Sequence, residues 1–243
     1  MRAPVLIAVW LLLLPLANAQ TIRVCYDDQE GAVGEVRFKQ SPNHAVLVQL
    51  EQQSGVHFEF EGRSWQRCMA ELRTNVWDGA VAMSFLPERQ VLAAFPMKNG
   101  KPDAQRRMTL DTYSLYRVRG SNVQWDGRHF SGVHGLVGVP PGYSIIGQLK
   151  EAGFRLDTST RLAEQNLRKL LAGRIDAVAL LTGEGDRTVA AYPEFASRIE
   201  RIDPPLVTKP FYLVFSRGFI AANPDLAEKL WHALPAARTA AGL

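Results

Sequence analysis

The first pattern along the chain is an unbroken apolar run over residues 5–14, with Arg2 before it and Pro15 and the triplet Ala17-Asn18-Ala19 after it. A basic start, a short apolar stretch and a small-x-small site, in that order, predict a secretory signal peptide over 1–19, cleaved after Ala19. The run is about half the roughly 20 residues a bilayer span needs, and no later segment is apolar for long enough. Beyond it, two periods alternate. Residues 22–26 and 57–60 are β-rich, and 80–83 form a short buried run. Between them, 45–53 place Val46, Leu47 and Leu50 at helical spacing and stop at Gly55. Trp65, Cys68, Met69 and Leu72 fall at i, i+3, i+4 and i+7 behind Ser64, a candidate N-cap. This β-α-β-α-β series predicts a parallel sheet with crossover helices.

The pattern then restarts. A longer strand candidate at 112–118 is followed by a strand at 136–139, the turn Pro140-Pro141-Gly142 and a helix at 144–152. Leu162, Leu167, Leu170 and Leu171 mark a further helix that ends at Gly173, and 175–181 form a buried strand. A last strand at 212–215 precedes Asn223-Pro224, an N-cap and N1 pair for a C-terminal helix with Leu226, Leu230, Trp231 and Leu234. The expected fold class is therefore α/β with two similar lobes, each a mainly parallel sheet flanked by helices. Lobe one takes residues 20–112 and 210–243, lobe two takes 113–209, and the strands near 113–118 and 211–215 are the hinge.

Composition changes this picture little: 47% hydrophobic and 21% charged residues are ordinary for a globular chain. The net charge is +4, without Lys/Arg runs beyond short pairs such as Arg106-Arg107, so no nucleic-acid face is expected. The two cysteines, Cys25 and Cys68, suit one disulfide in an exported chain, which requires their Cα atoms within about 7 Å. Two separate buried thiols are the alternative.

Standard catalytic signatures are missing. There is no P-loop, HExxH or CxxC, and Gly142-Tyr143-Ser144 has no glycine two residues after the serine. His129 and His134 are five apart, a poor metal spacing, so neither a metal nor a cofactor is expected. The informative stretch runs from Trp77 through Asp78, Gly79 and Ser84 to Glu88-Arg89, followed by Phe95-Pro96. A buried strand that runs out at Ser84 puts Arg89 at the carboxyl end of the sheet, where open α/β sheets bind ligands. Arginine there can hold a carboxylate with two parallel hydrogen bonds. From spacing alone, a solvated Glu88-Arg89 surface pair is the simpler reading.

The order of these motifs resembles the family 3 extracellular solute-binding proteins, the periplasmic receptors typified by polar amino-acid binding. The likeness covers most of the chain after the leader. Ile22-Arg23-Val24 with Asp27 matches the first strand and its terminal acid. Val137-Gly138-Val139-Pro140-Pro141-Gly142-Tyr143-Ser144 matches the turn that opens lobe two, and Leu171-Ala172-Gly173-Arg174-Ile175-Asp176-Ala177-Val178 matches a later segment closely. The resemblance implies a ligand carboxylate clamped by Arg89, with Ser84 beside it. Ser144 and the backbone N–H groups after Gly142 would complete an anion site at a helix N-terminus. Tyr143 would lie in the same turn, and Asp27, Tyr26 and Trp65 would face the other end of the ligand. Amino-acid binders of the family carry an aspartate for the α-ammonium where this chain has Leu181. Glu184 and Asp186 follow three and five positions later.

These features imply a monomeric periplasmic protein that closes on a small carboxylate-bearing solute, amino-acid-like or an organic acid, and delivers it to an inner-membrane permease. A sensory module handing its state to a membrane receptor uses the same lobes. A dehydratase-like enzyme is the third reading, with Glu184 or Asp186 as general acid. Against it, Gly183 and Gly185 suggest that those acids sit on a flexible loop.

Overall fold

The computed structural model describes residues 20–28 and 34–243, so the leader assigned to 1–19 lies outside the described residues. The chain opens with β1 (Thr21–Asp27), α1 (Gly34–Lys39), α2 (Pro42–Ser54), β2 (His57–Arg63), α3 (Trp65–Arg73) and β3 (Gly79–Ser84). Short strands β4 (Ala93–Ala94), β5 (Met97–Lys98) and β6 (Lys101–Pro102) lead to the long β7 (Thr109–Val118). Next come β8 (Gln124–Trp125), β9 (Phe130–Ser131), β10 (Leu136–Gly138), α4 (Ile146–Glu151), β11 (Arg155–Asp157), α5 (Ala163–Leu171) and β12 (Ala177–Leu181). The chain closes with α6 (Thr182–Ala191), α7 (Pro193–Arg198), β13 (Ile199–Ser216), α8 (Arg217–Ala222) and α9 (Pro224–Ala240).

The main sheet runs β11-β10-β12-β7-β13-β3-β1-β2, with β4 on the end of β13. Its two ends, β2-β1-β3 and β11-β10-β12, are parallel, as short connections through helices require. Between them β7 and β13 pair antiparallel with each other and with their outer neighbours. The fold is thus a two-lobed α/β architecture bridged by two long strands. Ile22, Val24, Leu47 and Phe58 share one core with Phe215, Leu230 and Leu234, so both ends of the chain build it, and α9 packs on α2. Tyr116, Leu167, Leu170, Val178 and Phe195 belong to a second core. Among the described residues no helix is long and apolar enough to cross a membrane.

Three local expectations change. α2 begins at Pro42 rather than 45, because Ser41 caps it by accepting the His44 N–H at 3.2 Å and Pro42 occupies its first turn. The last long strand starts at Ile199 rather than 212. Its Pro204 and Pro205 hide the strand pattern, but they fall where the β7 register is interrupted between Ile202 and Val207, so no ladder bond is lost there. The glycines near 183–185 belong to a helix, not a loop. A Cβ on Gly185 would sit 2.3 Å from the Tyr116 ring, so this glycine lets α6 lie directly on β7. Cys25 on β1 and Cys68 on α3 form the disulfide, with Cα atoms 5.8 Å apart. It fixes the helix that carries Trp65 to the strand that ends in Asp27.

Candidate functional site

A cavity of about 210 Å³ lies where the two parallel ends of the sheet face each other. From the β1–β3 half it is lined by Tyr26, Asp27, Trp65, Ser84 and Arg89, and from the β10–β12 half by Tyr143, Ser144 and Glu184. These eight expected site residues, far apart in sequence, are therefore brought together. Two others are not part of the lining. Gly142 stands just behind it and contributes a carbonyl. Asp186 accepts the Tyr116 hydroxyl at 2.8 Å and pairs with Arg201 instead. On a helix two positions are about 200° apart, so with Glu184 aimed inward Asp186 must leave the site. Of the two acids considered as general acids, only Glu184 reaches the cavity.

Arg89 follows from local sequence. β3 ends at Ser84, and Pro87 opens a single 3-10 turn over Pro87–Val91 that directs the arginine back across the strand end. The guanidinium is 4% exposed while Glu88 remains in solvent, so the solvated-pair reading is overturned. One terminal nitrogen, Nη1, donates to the Ser84 carbonyl at 2.8 Å and to its hydroxyl at 3.0 Å. The other, Nη2, donates to the Gly142 carbonyl at 2.7 Å, across the interface between the halves. The Trp65 ring lies 5.8 Å from the guanidinium carbon. Burial lowers the pKa of Arg89, yet arginine stays charged under any ordinary condition.

The opposite wall is acidic and aromatic. Glu184, 4% exposed in the first turn of α6, accepts the Tyr143 hydroxyl at 3.0 Å. Burial, then the charges of Glu184 and Asp27, push that phenol well above its usual range. Tyr113 is pushed up to about 12 by burial, and its hydroxyl meets that of Ser144 at 3.3 Å. Lys209 donates to the Ser144 carbonyl at 3.0 Å; burial and then Arg89 lower its pKa. The expected helix-end anion site is reduced. α4 starts only at Ile146, and the N–H groups of Tyr143 and Ile146 close the turn itself onto the carbonyls of Pro140 and Tyr143.

Sequence reading missed Val81, Ala82, Asp111, Tyr113, Arg187 and Phe211, which also line the cavity. Successive strand residues normally face opposite sides. In β3, however, Val81 and Ala82 together oppose Leu213 of β13, because pairing passes from Met83–Tyr212 to Ala80–Val214. Ala82 takes φ 59, a left-handed value rare for alanine, and this bulge turns adjacent residues toward the cavity. No period in the sequence signals it. The charged rim residues, Asp111 on β7 and Arg187 on α6, lacked any motif; a helix assignment over 182–191 would have put Arg187 one turn from Gly183. Among the described residues no group of three or more His, Cys, Asp or Glu side chains is placed to hold a metal ion.

No protein-family model matches the chain, and no curated protein matches it in sequence. Solved structures do match its fold. An ancestral arginine-binding protein bound to glutamine superposes with a TM-score of 0.68 at 16% identity, covering 91% of this chain and 93% of that one. The arginine-, lysine-, histidine-binding protein ArtJ from Geobacillus stearothermophilus gives 0.65 at 17% identity, over 91% and 90%. A histidine kinase sensor domain with similarity to periplasmic binding proteins gives 0.65 at 16% identity, over 90% and 95%.

Proposed function

We propose that this chain is a periplasmic solute-binding protein that closes on a small carboxylate-bearing solute, amino-acid-like or an organic acid, for uptake through an inner-membrane permease. In this reading residues 20–112 and 210–243 form one lobe, 113–209 the other, and β7 with β13 the hinge. The observation that carries it is a buried arginine facing a small cavity walled by both halves. A desolvated guanidinium needs an anionic partner, and among the described residues every hydrogen bond Arg89 makes is to a neutral oxygen. Those bonds use three of its five donors, which leaves two N–H groups for a carboxylate. The cavity is below the roughly 300–1,000 Å³ of drug-sized sites, which favours a small metabolite. Asp27 and Glu184 offer acceptors to an ammonium or hydroxyl on that solute, the role that Leu181 cannot take.

The leader motif and the Cys25–Cys68 bond support a periplasmic location. A sensory role is the second reading, favoured by the sensor domain that shares this fold. The test is a thermal-shift screen of the protein without its leader against amino acids, organic acids and aromatic carboxylates. A solute at 100 times its Kd adds about 2.7 kcal/mol. A hit that Arg89→Ala abolishes supports the site; if no carboxylate raises the Tm, the reading is wrong.

A further inference from the structure

Besides Arg89 the cavity is lined by two further arginines, Arg37 and Arg187; Arg37 has a partner of its own, and the surroundings of Arg187 differ from those of Arg89. Arg187 sits on α6, in the half opposite Arg89, and lines the cavity at its exposed rim. Its side chain folds back over the first turn of its own helix. A Cβ on Gly183 would lie 3.2 Å from its Nη1, so the missing side chain at 183 leaves the channel in which the guanidinium rests. Among the described residues Arg187 makes no hydrogen bond and no ion pair. The neighbouring acid, Asp111, lies within electrostatic reach of it but accepts the Thr112 N–H at 2.7 Å. Glu184, one turn before Arg187, forms no ion pair with it, and one of its oxygens accepts the Tyr143 hydroxyl. Arg187 is therefore exposed at the mouth of the cavity, with no hydrogen-bond or ion-pair partner among the described residues, and Arg89 lies at the floor.

Resting on the solute-binding reading above, we infer that the preferred solute carries two anionic groups, one held by Arg89 at the floor and one by Arg187 at the rim. A guanidinium suits a planar carboxylate in both places. Because the two arginines belong to opposite halves, a dianion ties the halves together at both ends, whereas a monoanion ties them at one. Arg187 is exposed, so its share of the selectivity is screened by salt and Arg89's much less so.

The test compares paired probes of equal length by calorimetry: succinate against butyrate, and glutamate against glutamine. The intact protein is expected to bind the dicarboxylate of each pair on the order of tenfold more tightly, the size of one charge-assisted contact. Arg187→Gln should bring that ratio close to one, Arg187→Lys should keep part of it, and raising the salt should shrink it. If the monocarboxylates bind as tightly as their partners, or the preference survives Arg187→Gln, this inference fails while the solute-binding reading stands. If none of the four probes binds and the wider carboxylate screen is also blank, both fail together.

Discussion

At the residue scale, the decisive feature is that Arg89 is both a buried charge and a bridge. From spacing alone it reads as half of a solvated surface pair, and from the family resemblance as a ligand clamp; neither gives it a part in the fold. Its bonds to the Ser84 and Gly142 carbonyls change that expectation. Arg89→Ala should abolish carboxylate binding and also cost about 1–3 kcal/mol of stability, since it removes the donors of two backbone acceptors. Arg89→Lys keeps a charge but not the fork, so it should satisfy one carbonyl at a time and bind solute at least tenfold more weakly. Urea denaturation and calorimetry on both variants check the two effects separately; an Arg89→Ala protein of wild-type stability would mean that the Gly142 contact contributes nothing.

The element scale turns on α6. Two glycines in five residues read as a loop, because glycine weakens helices by up to about 1 kcal/mol relative to alanine. Here Gly185 is present for proximity: Tyr116 ring atoms lie 2.3–2.5 Å from where its Cβ would be. Gly185→Ala gains helix propensity but forces the helix off β7 or the ring off Thr182 and Asp186, whose oxygens its hydroxyl reaches. The overpacking term of about 1–3 kcal/mol wins. The variant should therefore unfold at lower urea and, because α6 also carries Glu184, bind solute less tightly. A Gly185→Ala protein that is more stable than the parent would show that α6 does not pack as described.

At the scale of the whole molecule, the question is what holds the halves together. The turn around Gly142 lies against α3 of the other half: a Cβ at 142 would approach Met69 Cε at 2.9 Å and Trp65 Cδ1 at 3.2 Å. The methionine tip can move, but the φ of 83 costs an alanine about 1–2 kcal/mol. Gly142→Ala should therefore favour separation of the halves, seen as a larger radius of gyration by small-angle scattering and a weaker solute affinity. An unchanged radius and affinity would show that the turn does not govern closure. The disulfide acts on the same assembly from behind α3. Its loop spans 43 positions, for which loop entropy predicts about 4 kcal/mol. Replacing Cys25 and Cys68 by serine should lower stability by about 2–4 kcal/mol and loosen the seat of Trp65.

What the sequence determines by itself is whatever local periodicity and short-range chemistry can carry. The parallel β-α-β order, the single apolar face of α3 with Trp65, Cys68 and Leu72 inward, the start of α9 at Pro224 (though the Asn223 side chain makes no capping bond) and the pairing of the only two cysteines were all legible. So were seven of the cavity residues, through the resemblance of their motifs, with Glu184 named beside them as a candidate acid. The tertiary structure alone decides the rest, because it depends on partners distant in the chain. The bulge at Val81 and Ala82 exists only against Leu213 of β13, and the helix over 182–191 lies directly on Tyr116 through Gly185. The same holds for Asp186, turned from the cavity by the helix and held by Arg201, and for Arg187, brought to its rim. A strand or helix pattern records which face a residue takes on its own element. Which other element that face meets, and hence which charges converge, is set only when the chain folds back on itself.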